Sequence, residues 1–153
     1  MFHIILYQPE IPPNTGNIIR LSANTGCCLH LIEPLGFTLD DKQLKRAGLD
    51  YHALANVKLY PSLALCLAQF NLERCFALTT KGTTQYHQPR FQAGDVFVFG
   101  PESRGLPAEL RDNFKADNKL NIPQLTQARS LNLANAVSIM VYEAWRQNNF
   151  ASS

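Results

Sequence analysis

The chain has 153 residues and a mass of 17.2 kDa, a length that suits one domain able to bury a core. Hydrophobic residues make up 46% and charged residues 17%, and 14 Lys and Arg against 12 Asp and Glu leave a net charge of +2. This excludes a disordered chain and carries no overall basic excess to announce a nucleic-acid binder. No apolar run approaches the ~18 residues of a membrane helix, and the segment Met1–Glu10 lacks the basic start of a signal peptide. The cysteines are Cys27, Cys28, Cys66 and Cys75. They form no C-x-x-C and read as reduced, mostly buried thiols of a cytoplasmic protein with no membrane association. His3, His30, His52 and His87 lack metal-ligand spacing, so no metal is expected.

Phe2–Tyr7 is a short apolar run ending at Gln8-Pro9 and reads as a buried strand. Pro9, Pro12 and Pro13 hold an extended loop. Asn14 then caps a helix over Thr15–Thr25, and Gly26 suits its C′ position. Cys28–Ile32 is a second strand. Asp40 caps a short helix to about Ala47, and Val57–Tyr60 is a further strand. Pro61 stands in the first turn of a helix reaching Phe70. Arg74–Thr79 is a strand followed by a polar turn, Lys81–Thr84. Asp95–Phe99 is the clearest buried strand and runs into Gly100-Pro101. Pro107–Asn113 is a short helix, Lys119–Ile122 a last strand, and Asn132–Gln147 a last helix. Along that helix Leu133, Ala136, Val137, Met140, Val141, Ala144 and Trp145 form a broad apolar stripe, which either packs in the core or faces another subunit in part. Strands alternating with helices imply an α/β domain with a mainly parallel sheet and helices on both faces.

Ligands of such sheets bind beyond the carboxyl ends of the strands, where three segments stand out. Asn14-Thr15-Gly16-Asn17-Ile18-Ile19-Arg20 places polar residues at a helix start, whose free N–H groups would favour an anion such as a phosphate. It is equally a capped helix with one solvated Arg. Phe99-Gly100-Pro101-Glu102-Ser103-Arg104-Gly105-Leu106-Pro107 lets a buried strand run into a stiff, glycine-containing turn, either a close approach for a ligand or an ordinary strand–helix connection. After Ile122-Pro123, the run Arg129-Ser130-Leu131-Asn132-Leu133-Ala134-Asn135 opens the last helix, with Ser130 or Asn132 as its cap. No G-x-G-x-x-G, P-loop, G-x-S-x-G or H-E-x-x-H is present.

Together and in this order, N-T-G-N-I-I-R, F-G-P-E-S-R-G-L-P and I-P…S-L-N-L-A-N-A-V-S resemble the three motifs of the SpoU/TrmH branch of the SPOUT RNA methyltransferases. Y-Q-P-E-I-P-P-N-T-G-N, L-I-E-P-L-G-F, A-G-L-D-Y-H, F-A-L-T-T-K-G and V-Y-E-A-W-R-Q extend the resemblance over residues 1–147, to the subfamily that methylates the ribose 2′-hydroxyl of the tRNA wobble nucleotide. The resemblance implies a single SPOUT methyltransferase domain over residues 1–153, without a separate RNA-binding domain and with a C-terminal trefoil knot. It implies S-adenosylmethionine (SAM) as cofactor, S-adenosyl-L-homocysteine as product, no metal, and tRNA as substrate, its leucine isoacceptors in particular.

By motif, the resemblance places SAM against Leu78, Thr79, Gly100, Glu102, Ile122, Ser130 and Leu131, and names Arg20, Asn14, Glu102, Ser130 and Asn132 as the catalytic set. Arg20, Lys81, Arg104 and Arg129 are the implied RNA contacts. A homodimer with a shared site is implied, and Val137, Met140, Val141, Tyr142 and Trp145 are the candidate interface. A guanidinium has no acceptor, so Arg20 is expected to stabilise alkoxide charge and position a phosphate rather than act as the base. Ser103 and Leu131 stand where close relatives often have Thr and Met. The same chemistry on another RNA, a non-catalytic RNA-binding protein of this fold, and a small-molecule-binding α/β domain are the competing readings. The charge of +2 is modest, but Arg20, Arg104, Arg129 and Lys81 fall in strand-end or helix-start segments.

Overall fold

Both parities of the central apolar runs are buried, and this dictates a sheet covered on its two faces. A computed structural model describes residues 1–39, 51–125 and 129–152. In chain order the elements are β1 (His3–Tyr7), α1 (Pro12–Thr25), β2 (Cys28–Ile32), α2 (Tyr51–Leu54), β3 (Val57–Tyr60), α3 (Leu63–Leu67), β4 (Cys75–Leu78), β5 (Thr84–Gln85), β6 (Val96–Phe99), α4 (Ala108–Arg111), β7 (Lys119–Asn121) and α5 (Leu133–Gln147). Single 3₁₀ turns at Leu72–Arg74 and Ala116–Asn118 lead into β4 and β7.

The sheet has seven strands in the order β3-β2-β1-β6-β4-β7-β5. Every pairing is parallel: Phe99 stands beside Leu6 on one side and Leu78 on the other, and Leu78 beside Leu120. The carboxyl ends of all strands therefore share one edge. The chain runs outward from β1 to β3, then crosses to build β4 to β7 on the other side of β1, which opens a crevice at that edge. This is the α/β, mainly parallel arrangement expected from the alternation of elements.

Ile4, Leu6, Phe76, Leu78, Phe97 and Phe99 point to one face, where α1 and α5 pack against the sheet and against each other. Ile5, Cys75, Ala77, Val96 and Val98 point to the other and meet α3 and the segment around Leu106 and Phe114. Asp95, fully buried before β6, is held by the Arg74 guanidinium at 2.5 and 2.8 Å, so β4 and β6 are tied at their amino ends as well.

The structure moves several boundaries. The first helix begins at Pro12 rather than Thr15. Ile11 is its N-cap without a side-chain cap bond, and the prolines occupy the first two helical positions. Asn14 is therefore inside the first turn and not the cap, for Pro at these positions fixes helical φ and surrenders no needed N–H. The Pro61–Phe70 helix contracts to Leu63–Leu67, because the Ser62 hydroxyl accepts from the Leu65 N–H and so supplies the cap. The polar turn at Lys81–Thr84 leads into a strand, β5, and β7 ends at Asn121. The expected helix from Asp40 to Ala47 lies outside the described residues.

The candidate interface on α5 needs a larger correction. Val137, Met140 and Val141 are 0% exposed and belong to the core between α5, α1 and the sheet, so they offer no surface to a second chain. Tyr142, exposed, and Trp145, half-buried, remain on the outside. Cys27, Cys66 and Cys75 are buried and Cys28 half-buried, all as free thiols; burial pushes Cys66 up to about 12 and Cys75 to about 11, so both are inert at neutral pH. Among the described residues no helix is long and apolar enough to cross a membrane, and no cluster of His, Cys, Asp and Glu gathers to hold a metal.

Candidate functional site

The carboxyl ends of β4, β6 and β7 open into a cavity of about 440 Å³. Beside the ends of β4 and β7, three segments far apart in sequence meet at its walls: Ile11 and Asn14 at the start of α1, residues 99–106 from the end of β6 onward, and residues 130–133 entering α5. Every residue expected to line a cofactor site borders it: Leu78 and Thr79 at the end of β4, Gly100 and Glu102 after β6, Ile122 after β7, and Ser130 and Leu131 before α5.

Glu102 braces the first two segments. Its Oε1 accepts from the Glu10 main-chain N–H at 2.8 Å and its Oε2 from that of Ile11 at 2.8 Å. The same Oε2 accepts from Asn14 Nδ2 at 3.2 Å. A carboxylate supplied from residue 102 thus stands at the amino end of α1, a helix with no acidic residue of its own in the first turn. This revises the expectation of a phosphate at that helix start. Pro12 and Pro13 carry no N–H, and the Asn14 and Thr15 N–H groups donate to the Ile11 carbonyl. The nearby N–H groups of Glu10 and Ile11 already hold Glu102.

The third segment joins through Asn14. Its Oδ1 accepts from Asn132 Nδ2 at 2.9 Å, while Asn132 Oδ1 caps α5 by accepting from the Asn135 N–H at 3.2 Å. One chain of bonds therefore runs from the post-β6 turn through α1 to the start of α5. Asn14, the middle member, is buried, while Glu102 is half-buried and Asn132 exposed, so the paired bonds of Asn14 fix how the three segments meet.

Gly100 sets how closely the turn folds back. A Cβ there would lie 2.2 Å from Gly105 C and from Leu106 N. Gly105 adopts φ 67°, the left-handed conformation that glycine enters without strain.

Of the candidate RNA contacts, Lys81 and Arg104 border the cavity, and Arg104 reaches Gln8 Oε1 at 3.5 Å. Arg129 is exposed, one residue from the bordering Ser130. Arg20 lies elsewhere: it is exposed on α1, six residues beyond Asn14, and is not among the described residues that line the cavity. Sequence reasoning missed Thr80, Arg111 and Gln124, which also line it. Arg111 sits on the short helix expected after Pro107. Which of its faces meets the cavity depends on the turn at Gly105, and Leu110 packs on the second core while Arg111 turns inward.

The profile of the SpoU rRNA Methylase family matches residues 1–142. A protein of Methylovorus glucosotrophus named tRNA (cytidine(34)-2′-O)-methyltransferase is 58% identical over 153 residues, covering 100% of this chain and 99% of its own. A protein of the same name in Escherichia coli K12 is 56% identical over 147 residues, covering 96% and 94%. A solved structure described as giving insight into the 2-OH methylation of C/U34 on tRNA superposes with a TM-score of 0.89 at 47% identity, covering 99% of this chain and 98% of that one. The SpoU methyltransferase AviRb of Streptomyces viridochromogenes, in complex with AdoMet, shares the fold at TM-score 0.81 and 24% identity, over 98% of this chain and 58% of its own.

Proposed function

The chain belongs to the SpoU rRNA Methylase family, and from that premise we infer its reaction: it is a SAM-dependent methyltransferase acting on the ribose 2′-hydroxyl of the wobble nucleotide, position 34, of tRNA. The observation that carries this reading is the convergence of three separate motif segments on one cavity, in a chain 58% identical over its full length to a tRNA (cytidine(34)-2′-O)-methyltransferase. The leucine isoacceptors are the proposed substrates, and the cytoplasm the proposed compartment.

The cavity fits the cofactor. Its volume lies in the range of small-ligand sites, roughly 300–1,000 Å³. Leu78, Ile122 and Leu131 offer apolar surface to a purine, and Thr79, Ser130 and Asn132 bring polar groups to the same walls. SAM supplies, when bound, an electrophilic methyl on a sulfonium. What remains for the protein is to align the ribose hydroxyl in line with that methyl and to ease removal of its proton.

Asn14, Glu102 and Asn132 serve positioning. Glu102 accepts from three donors, so its oxygens hold the loop. Arg20 is the proposed group at the 2′-hydroxyl, stabilising alkoxide charge through its fork of N–H donors. Lys81, Arg104 and Arg129 would contact RNA phosphates, giving affinity that falls with salt.

Arg20 projects from the exposed face of α1 and does not border its own chain's cavity. This supports a homodimer in which Arg20 of one protomer serves the cavity of the other. Exposed Tyr142 and Ile139 on α5, which packs beside α1, would lie at its interface. Mixed dimers test this arrangement: Arg20→Ala and Asn132→Ala protomers, each impaired alone, should regain activity when combined. Failure to complement would place both residues in one chain's site. The reaction itself is tested by labelled methyl transfer to a tRNA and to the same tRNA carrying a 2′-deoxyribose at position 34. Label should enter only the first; equal labelling would refute the assigned nucleotide.

A further inference from the structure

We propose that Glu10 is a positioning residue for the cofactor cavity, its carboxylate holding the Ser103–Arg104 turn in the shape that closes one wall. The proposal rests on the reading of that cavity as the SAM site. Glu10 Oε1 accepts from the Ser103 main-chain N–H at 2.9 Å, and Oε2 from the Ser103 hydroxyl at 3.0 Å. In the opposite direction Glu102 accepts from the main chain of Glu10 and Ile11. Two neighbouring turns therefore exchange carboxylates, each clamping the other's backbone. Residues 102 and 103 are adjacent, so the turn is gripped on both sides and cannot pivot about either bond alone.

Glu10 is itself supported from behind. The Gly36 N–H donates to the Pro9 carbonyl at 2.9 Å, and a Cβ at Gly36 would lie 2.9 Å from Glu10 Cα and O. Glycine at position 36 is therefore what lets that segment lie against the Glu10 backbone and bond to the Pro9 carbonyl. The main-chain N–H and hydroxyl of Ser103, with a smaller contribution from the nearby Arg104 charge, hold the Glu10 carboxyl below the usual range, so the clamp is charged at neutral pH. Glu10 does not border the cavity, whereas Ser103, Arg104 and Gly105 do. Its influence on ligand binding must therefore pass through the turn. Ser103 is exposed, so water takes over its donors when Glu10 is removed. The fold then survives, and the loss falls on the order of the turn.

The test compares wild type with Glu10→Ala, Glu10→Gln and Ser103→Ala, using SAM calorimetry and steady-state methylation of tRNA. Glu10→Ala should raise the SAM Kd and KM about tenfold, with kcat at saturation within about threefold of wild type and little change in Tm. Glu10→Gln keeps one acceptor oxygen and should recover part of the loss. Ser103→Ala, which keeps the main-chain bond, should raise the SAM KM about threefold, and together with Glu10→Gln it decides the matter should Glu10→Ala fail to fold. A SAM KM within twofold of wild type in these variants would overturn the proposal, as would a fall in kcat with KM unchanged. Wild-type protein that binds no SAM would instead overturn the cofactor reading and this proposal with it, whereas tight binding by both wild type and Glu10→Ala removes the proposal alone.

Discussion

Adding one methyl group at Gly100 is the sharpest perturbation the site allows. In Gly100→Ala the new Cβ would stand 2.2 Å from Gly105 C and Leu106 N and 2.8 Å from Gly105 Cα. Ordinary contact begins near 3.4 Å, so the opposing strand of the turn must move by about 1.2 Å. The atoms in the way are main chain, and no side-chain rotation relieves them. Leu106 is buried in the second core at 4% exposure, so the displacement spreads into packed side chains, and overpacking of this kind costs about 1–3 kcal/mol. Function should suffer more than stability, because a shift of about 1 Å in a positioned group can cost about 10²-fold in rate. Urea denaturation should show the stability loss, and methyl transfer from labelled SAM should fall by about two orders of magnitude. A Gly100→Ala enzyme with wild-type SAM affinity and rate would refute the reasoning that this contact shapes the cavity.

Three further outcomes follow from named contacts. Asn132→Asp keeps the α5 cap but replaces the donor to Asn14 Oδ1 by a carboxylate. It should keep its Tm and lose about tenfold or more in kcat/KM, while Asn132→Ala should lose the cap as well, about 1 kcal/mol; equal losses of stability in both would contradict this. Arg20→Lys retains charge without the planar fork and should lose about 10²-fold in kcat, and nearly full rate at neutral pH would sink the bidentate role. His30 is buried between His3, at 3.0 Å, and the Tyr60 hydroxyl, at 3.2 Å. Burial, with the His3 and Lys58 charges, pushes its pKa down from 6.5 to about 4. Below pH 6.5 the unfolded chain takes up a proton that folded His30 refuses, so its contribution is full above pH 6.5, falls as pH drops towards about 4, and levels below that. The full swing is at most on the order of 3 kcal/mol, and the difference between wild-type and His30→Leu denaturation curves across pH 4–7 isolates it. A pH-independent difference would refute the assignment.

The parallel sheet was legible because Phe2–Tyr7, Arg74–Thr79 and Asp95–Phe99 are short, mainly apolar runs, the first and last closed by Pro or Gly and the second by a polar turn. The seven SAM-lining candidates were legible by motif, and each borders the cavity. Partnerships across long separations were not. Nothing local shows that Glu10 meets Ser103, 93 residues on, or that the capping Asn132 also donates to Asn14. The two prolines at the start of α1 were read as loop, since Pro fits an extended segment and a first helical turn alike; the choice falls to Glu102, which secures Glu10 and Ile11 just before them. On α5 the apolar stripe was wide enough to suggest a partner. Burial assigns Val137, Met140 and Val141 inward, because α1 packs on that side as well as the sheet.

Methylation of the wobble ribose of tRNA is the reaction proposed for this chain. Mass spectrometry of nuclease fragments of tRNA, purified from cells with and without the gene, tests it most directly. The 2′-O-methylation at position 34 of the leucine tRNAs should disappear on deletion and return with the wild-type gene but not with Arg20→Ala. Position 34 equally methylated in the deletion strain would contradict it.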